Sequence, residues 1–361
     1  MCHPVLDPEG GNELSREVDR MLAMSLAVST RTTYESGRRQ YVNFARMAGL
    51  IGRDGIVPVP TEEDLMYYAT FRAAFHRSSV AYIRVLVASV ASWFAEGGYG
   101  SILTDAAGSP HPKLSAVIRG IKREYGAPKK NRLPVTTTVL RRLVNDMRSW
   151  GDADADMYAA CMSLAVYGML RQSEFTSAGV RTHDESRGAR RSDAWFERDA
   201  RGDVECMCYF VRCSKVDPFR RSATLRLFPT GTAECPVAAM ARYLAATAGA
   251  DPAGPLFIRA DGSFLTRARL GQRLTAVLRR VGYKGAHLFT THSFRQGGAV
   301  SAACAGHDAD TVISVIGRWA GDSYKQYLTL DRAHLRRVAV SMSRVTTADV
   351  EAWGDRGWGG T

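Results

Sequence analysis

Apolar residues recur along the first third of this chain at helical spacing. After Ser29-Thr30, the positions Tyr34, Tyr41, Phe44 and Met47 fall on one face of a helix. Thr61-Glu62-Glu63-Asp64 reads as a capped, acid-rich start to a second helix carrying Leu65, Tyr68 and Phe71. Ser78-Ser79 opens a third, with Ile83, Val87, Val90 and Phe94, closed by Gly97-Gly98; a fourth spans residues 112 to 125. Beyond residue 135 the helical period returns. Thr136 to Thr138 cap a helix through Leu140, Leu143, Val144 and Met147, and residues 157 to 170 are apolar almost all round, as in a core helix.

Residues 192 to 228 change period. Three short runs, 194–197, 204–213 and 223–228, read as strands, with Gly202 and Asp217-Pro218 marking the turns. Helices are expected again at 235–249, 266–281, 292–305, 309–318 and 323–328. The fold class is therefore α+β: a small helical N-terminal domain, then a mainly helical domain around a small antiparallel sheet. The expected boundaries are a disordered leader at 1–18, a helical domain at 19–125, a basic linker at 126–135, a second domain at 136–345 and a flexible tail at 346–361. Gly126, Pro128 and Pro134, with Lys129, Lys130 and Arg132, make the linker.

Length and charge fit this division. The chain has 361 residues, enough for two domains, and carries Lys+Arg 48 against Asp+Glu 36, a net charge of +12. The surplus is clustered. Arg119, Lys122, Arg123, Lys129, Lys130, Arg132, Arg141 and Arg142 stand against the single acid Glu124. A second run holds Arg259, Arg267, Arg269, Arg273, Arg279, Arg280, Lys284 and Arg295. Such patches suit a polyanion, because each cation placed on a phosphate releases condensed counterions. Arg119, Lys122, Arg123, Lys129, Lys130 and Arg132 are the candidate DNA-binding residues.

The seven cysteines are odd in number and lack paired metal spacing. Cys206 and Cys208 alternate within an apolar strand, so buried reduced thiols are expected rather than a zinc site built with Cys213 and Cys235. The N-terminus lacks the apolar core of a signal peptide, and no apolar run reaches membrane-spanning length. A soluble intracellular protein is expected.

The candidate chemistry lies in residues far apart in sequence. Arg171 sits in Leu170-Arg171-Gln172-Ser173-Glu174, Lys215 at a strand turn, and His292 and Arg295 in His292-Ser293-Phe294-Arg295. Trp319 follows Gly317-Arg318, and Tyr327 ends Tyr324-Lys325-Gln326-Tyr327. As a phosphodiester is attacked, charge builds on its two non-bridging oxygens. Two guanidinium forks, Arg171 and Arg295, match that geometry. His292, one helical turn from Arg295, can donate a hydrogen bond or move a proton near neutral pH. Lys215 suits a general acid for a leaving 5′-alkoxide, and Glu174 can orient Arg171 or the neighbouring histidine. A tyrosine nucleophile needs neither metal nor cofactor, only neighbours that help it lose its proton.

As a set these residues resemble the tyrosine recombinase (phage-integrase-like) family, over residues 20 to 340 and in motif order. The resemblance assigns Arg171 to the first arginine box, Lys215 to the hairpin lysine, His292 and Arg295 to the H-x-x-R box, Trp319 to a position held by histidine or tryptophan, and Tyr327 to the nucleophile, in preference to Tyr324. The wording Lys215-Val216-Asp217-Pro218-Phe219-Arg220 and the eight-residue step from Trp319 to Tyr327 are similar to eukaryotic mobile-element recombinases of the Crypton and DIRS kind. The resemblance implies double-stranded DNA as partner, a 3′-phosphotyrosyl intermediate, a homotetramer on synapsed sites, and the nucleus if the host is eukaryotic. It also offers residues 331–353 as a segment that docks on a neighbouring subunit, or else as a helix packed on its own. Three other readings stand beside strand exchange: a silent DNA-binding derivative, a type IB topoisomerase, and a basic helical scaffold.

Overall fold

The computed structural model describes the chain outside residues 1–13, 15, 19, 23, 106, 127–131, 213–221, 306, 308–331 and 356–361. It divides into two compact units, Met1–Lys129 and Lys130–Thr361.

In the first unit, α1 (Val28–Met47), α2 (Glu62–Ala74), α3 (Val80–Glu96) and α4 (Pro112–Tyr125) enclose one core. The ends form where side chains can satisfy the first free amides. Thr61 and Asp64 build a reciprocal capping box on α2, and Ser79 caps α3 by accepting from the Tyr82 amide. Tyr41, Phe44, Tyr68 and Phe71 form the aromatic centre. Tyr41 and Tyr68 meet edge to face with centroids 5.2 Å apart. Gly37 lets α1 approach α3, since a Cβ there would lie 2.1 Å from Ser89 Oγ.

The second unit is organised around α6 (Ala155–Tyr167), whose residues are buried on nearly every side. It packs on α5 (Thr137–Ser149), α7 (Pro236–Ala246) and α9 (Ser293–Cys304). The sheet is an antiparallel meander of β1 (Ala194–Arg198), β2 (Val204–Val211) and β3 (Ala223–Leu227) in the order β1-β2-β3. Glu197 pairs with Cys206 and Cys208 with Arg226. The helix α8 (Arg267–Arg280) is capped by Thr266 and buries Leu270, Leu274, Val277 and Leu278.

The C-terminal helices α10 (Arg332–Ser343) and α11 (Thr347–Asp355) pack on their own chain. Val338 and Met342 are buried in the core of this unit. The start of α5 holds the end of α10. Thr137 Oγ1 donates to the Met342 carbonyl at 2.7 Å, Thr138 Oγ1 to that of Val345 at 2.9 Å, and Arg141 to that of Ser343. Residues offered above for docking on a neighbour are thus held within the chain itself.

Cys206 and Cys208 share one face of β2 with Phe228 and Ala339. With Glu197 they form a group of potential metal ligands within 4.8 Å of one another. Burial, followed by the Glu197 carboxylate, pushes both thiols up, Cys208 to about 12. Protonated thiols are poor ligands, and Arg226 already faces the Glu197 carboxylate at 3.4 Å. Cys235 lies elsewhere, its sulfur accepting from the Ala238 amide at the start of α7. No helix among the described residues is long and apolar enough to cross a membrane.

Candidate phosphate site

Three elements bring the described candidates together. The first is the turn that ends α6. Its helix stops at Gly168, and Met169 takes a left-handed backbone with φ 45°, uncommon for a residue bearing a Cβ. The chain then enters a short 3-10 turn, Gln172–Glu174. Glu174 is buried, and its carboxylate accepts from the Arg171 backbone amide at 2.9 Å and from Arg171 Nη1 at 3.1 Å. Tyr209, on β2, donates its hydroxyl to the Glu174 carbonyl at 2.6 Å, tying the turn to the sheet. Arg171 therefore leaves a rigid base with its guanidinium part-exposed.

The second element is the start of α9. Ser293 and Thr290 bond reciprocally: the Thr290 amide donates to Ser293 Oγ, and the Ser293 amide to the Thr290 carbonyl, both at 2.9 Å. Thr291 Oγ1 donates to Gln172 Oε1, joining this turn to the one that carries Arg171. Arg295 is 1% exposed and donates from Nη1 to the Met169 carbonyl at 2.5 Å.

Two glycines allow that burial. A Cβ on Gly298 would lie 2.2 Å from the Val166 carbonyl oxygen, and one on Gly297 would lie 1.8 Å from that of Val135. The helix α9 is thus pressed between the end of α6 and the segment that leads into α5. Gly298 is one turn beyond Arg295, so the contact that needs Gly298 also seats Arg295 over Met169.

The third element is residues 132–135, which run alongside α9. The Leu133 amide donates to the Leu288 carbonyl at 3.2 Å and the Val135 amide to that of Ser293 at 2.9 Å. Gln296 Nε2 donates to the Arg132 carbonyl at 3.4 Å.

His292 sits where the three meet. It is exposed on one side, yet enough of the ring is covered that desolvation pushes its pKa below the usual 6.5; the charges of Arg132, Arg295 and Arg171 push it the same way. Its neutral form is therefore the resident one at neutral pH. A half-open imidazole among guanidinium groups, at the amino end of a helix, makes a receptor for a phosphate-like anion.

Arg171, Glu174, His292 and Arg295 are thus gathered in one place, and Arg132 joins them. Arg119, Lys122 and Arg123 lie on α4 of the first unit, the last two in its final turn. Lys215, Trp319, Tyr324 and Tyr327, together with Lys129 and Lys130, lie outside the described residues. Gln172, Thr291, Gln296 and the two glycines were not expected from the sequence. The Gly-Gly pair after the H-x-x-R box was a usable signal, since adjacent glycines inside a helix mark close backbone approach.

No family profile matches the sequence, and no curated protein matches it. Solved structures do. The site-specific recombinase XerH, in a pre-cleavage complex with its difH substrate, matches over 85% of this chain and 78% of its own, with 14% identity and a TM-score of 0.52. The Tn1549 transposon integrase, in complex with transposon right-end DNA, matches over 89% of this chain and 92% of its own, with 16% identity and a TM-score of 0.49. These neighbours are tyrosine recombinases and integrases. The mixed α+β architecture with its three-stranded antiparallel sheet is the fold that this chain has in common with XerH.

Proposed function

We propose that this protein cuts and rejoins DNA strands by transesterification, through a 3′-phosphotyrosyl intermediate. The observation that carries the reading is the meeting of Arg171 and Arg295 at the part-exposed ring of His292. The fold is that of a recombinase captured on its own DNA substrate.

In this reading Arg171 and Arg295 hold the two non-bridging oxygens of the scissile phosphate. Both guanidinium groups are fixed before substrate arrives, so little reorganisation is needed as charge develops. The Tyr327 oxygen attacks phosphorus, the P–O5′ bond breaks, and the phenolic proton passes to His292, which is neutral at physiological pH. Lys215 gives a proton to the departing 5′-oxygen. The ester formed is close in energy to the one broken, so the reverse step reseals the strand. Trp319 lends its indole N–H to the phosphate. Glu174 acts through Arg171 and does not touch the substrate.

Arg119, Lys122, Arg123, Lys129, Lys130 and Arg132 contribute phosphate contacts along the duplex. The motif wording at Lys215–Arg220 and the step from Trp319 to Tyr327 support a mobile-element recombinase of the Crypton or DIRS kind. Such an enzyme acts as a homotetramer on two synapsed sites, and in the nucleus of a eukaryotic host.

Incubation with nicked suicide duplexes tests the reading. The wild-type protein is expected to form a denaturant-stable adduct that Tyr327→Phe abolishes while duplex binding persists. Binding without any adduct points to a silent DNA-binding derivative. Relaxation of supercoils by a monomer, with no preference for sequence, points to a type IB topoisomerase.

A further inference from the structure

The segment just before α5 is pinned to the phosphate site more firmly than a connecting chain requires. Three hydrogen bonds fix residues 132–135 along 288–296: Leu133 amide to Leu288 carbonyl, Val135 amide to Ser293 carbonyl, and Gln296 Nε2 to the Arg132 carbonyl. The backbone contact at Val135 is so close that only glycine fits opposite, at Gly297. The last of these bonds comes from the residue next to Arg295, and it holds the backbone of an exposed arginine.

We infer that Arg132 is a third guanidinium of this phosphate site, contacting the phosphate held beside His292, and that Gln296 and Gly297 are the positioning residues that bring it there. For its substrate class the inference rests on the strand-cleavage reading; the anion site itself does not. Arg171 and Arg295 are committed to their own turns by Glu174 and the Met169 carbonyl. Arg132 is held by its backbone carbonyl, which leaves its fork able to close on an arriving anion.

The charged groups facing His292 come from each surrounding segment: Arg132 from the 132–135 segment, Arg295 from α9 and Arg171 from the turn after α6. All three disfavour a second positive charge on the imidazole. Arg132 thereby has two effects. It adds an anion contact, and it keeps His292 a proton acceptor until DNA arrives.

Two measurements on the full chain test this, and neither requires turnover. The first is an NMR titration of the histidines, with His292→Gln assigning the resonance. Arg132→Ala is expected to raise the His292 pKa toward the ordinary value. The second is the salt dependence of duplex binding, where losing one phosphate contact lowers the slope of log K against log salt by about 0.9. Arg132→Lys is expected to retain the slope but, lacking the planar fork, to recover only part of any adduct rate.

Gln296→Leu, which removes the tether and keeps Arg132, should raise the His292 pKa in the same direction. Gly297→Ala is avoided because the added Cβ would clash with backbone. An unchanged His292 titration in Arg132→Ala, or an unchanged salt slope, overturns the inference. If the wild-type protein makes no adduct while both readouts move as expected, the strand-cleavage reading falls and the three-arginine anion site stands.

Discussion

Arg295, the largest fully buried side chain of the molecule among the described residues, is held by the carbonyl of Met169, a residue in left-handed backbone at the end of α6. A buried guanidinium costs free energy unless its donors are satisfied and its charge is used. Here its position follows from close helix packing at Gly298, and its neighbour is a half-open histidine.

Replacing Arg295 by lysine keeps the charge and loses the fork. Adduct formation on a suicide duplex is expected to fall about 10²- to 10³-fold, the cost of one lost donor at a developing oxyanion. Duplex affinity, measured by fluorescence anisotropy, should change far less. Equal losses in both would mean that Arg295 serves binding alone.

The pairing of Arg171 with buried Glu174 predicts an asymmetric result. Glu174→Gln keeps the shape but weakens the hold on Arg171, and adduct formation should drop about tenfold. Arg171→Ala removes the cation and leaves a buried carboxylate short of a donor, at a cost of about 1–3 kcal/mol of stability. Chemical denaturation of both variants distinguishes them. Greater destabilisation by Glu174→Gln would contradict the assigned roles.

The glycines offer a test of packing. Gly298→Ala places a Cβ 2.2 Å from the Val166 carbonyl and should destabilise the second unit by about 1–3 kcal/mol. Gly271, within α8, meets nothing nearer than 3.9 Å. Gly271→Ala is therefore expected to stabilise by about 0.5–1 kcal/mol. Unfolding midpoints in urea measure both, and shifts of the same sign would show that α9 is seated some other way.

The pH dependence has a definite sign. Burial first, then Arg132, Arg295 and Arg171, lower the His292 pKa from 6.5. In the proposed mechanism the group acts in its neutral form, so adduct formation is expected to fall only as pH drops through that lowered value. The acid limb of the second-order rate of adduct formation, which reports the free enzyme, should lie below 6.5. His292 also binds fewer protons when folded than unfolded. Its contribution to stability is thus complete above the unfolded pKa and is lost as pH falls through the folded one. An acid limb above 6.5 would contradict the arrangement.

Much of the architecture was legible because it rests on local signals. The capping residues Thr61, Ser79 and Thr136 lie where the sequence placed helix starts, and the run 204–213, read as a strand, contains the central strand Val204–Val211. The meeting of Arg171 with His292 and Arg295 was reached through motif order, since no local pattern links positions more than 100 residues apart. What escaped was the means of holding them. The Thr291–Gln172 bond, the Met169 carbonyl and the Val135 backbone contact are set by tertiary packing, and single polar residues give no periodic sign of such partners. The C-terminal helix α10 could equally cover its own core or a neighbour's, and only the burial of Val338 and Met342 decides that it packs at home.

The central claim is that a tyrosine oxygen of this chain takes up a DNA 3′-phosphate. Peptide mapping by mass spectrometry, after nuclease and protease digestion of the protein trapped on a suicide duplex, measures this directly. The account predicts a nucleotide mass on the peptide containing Tyr327, with fragment ions placing it on that residue. A nucleotide on Tyr324 or another side chain, or no nucleotide-bearing peptide at all, would contradict it.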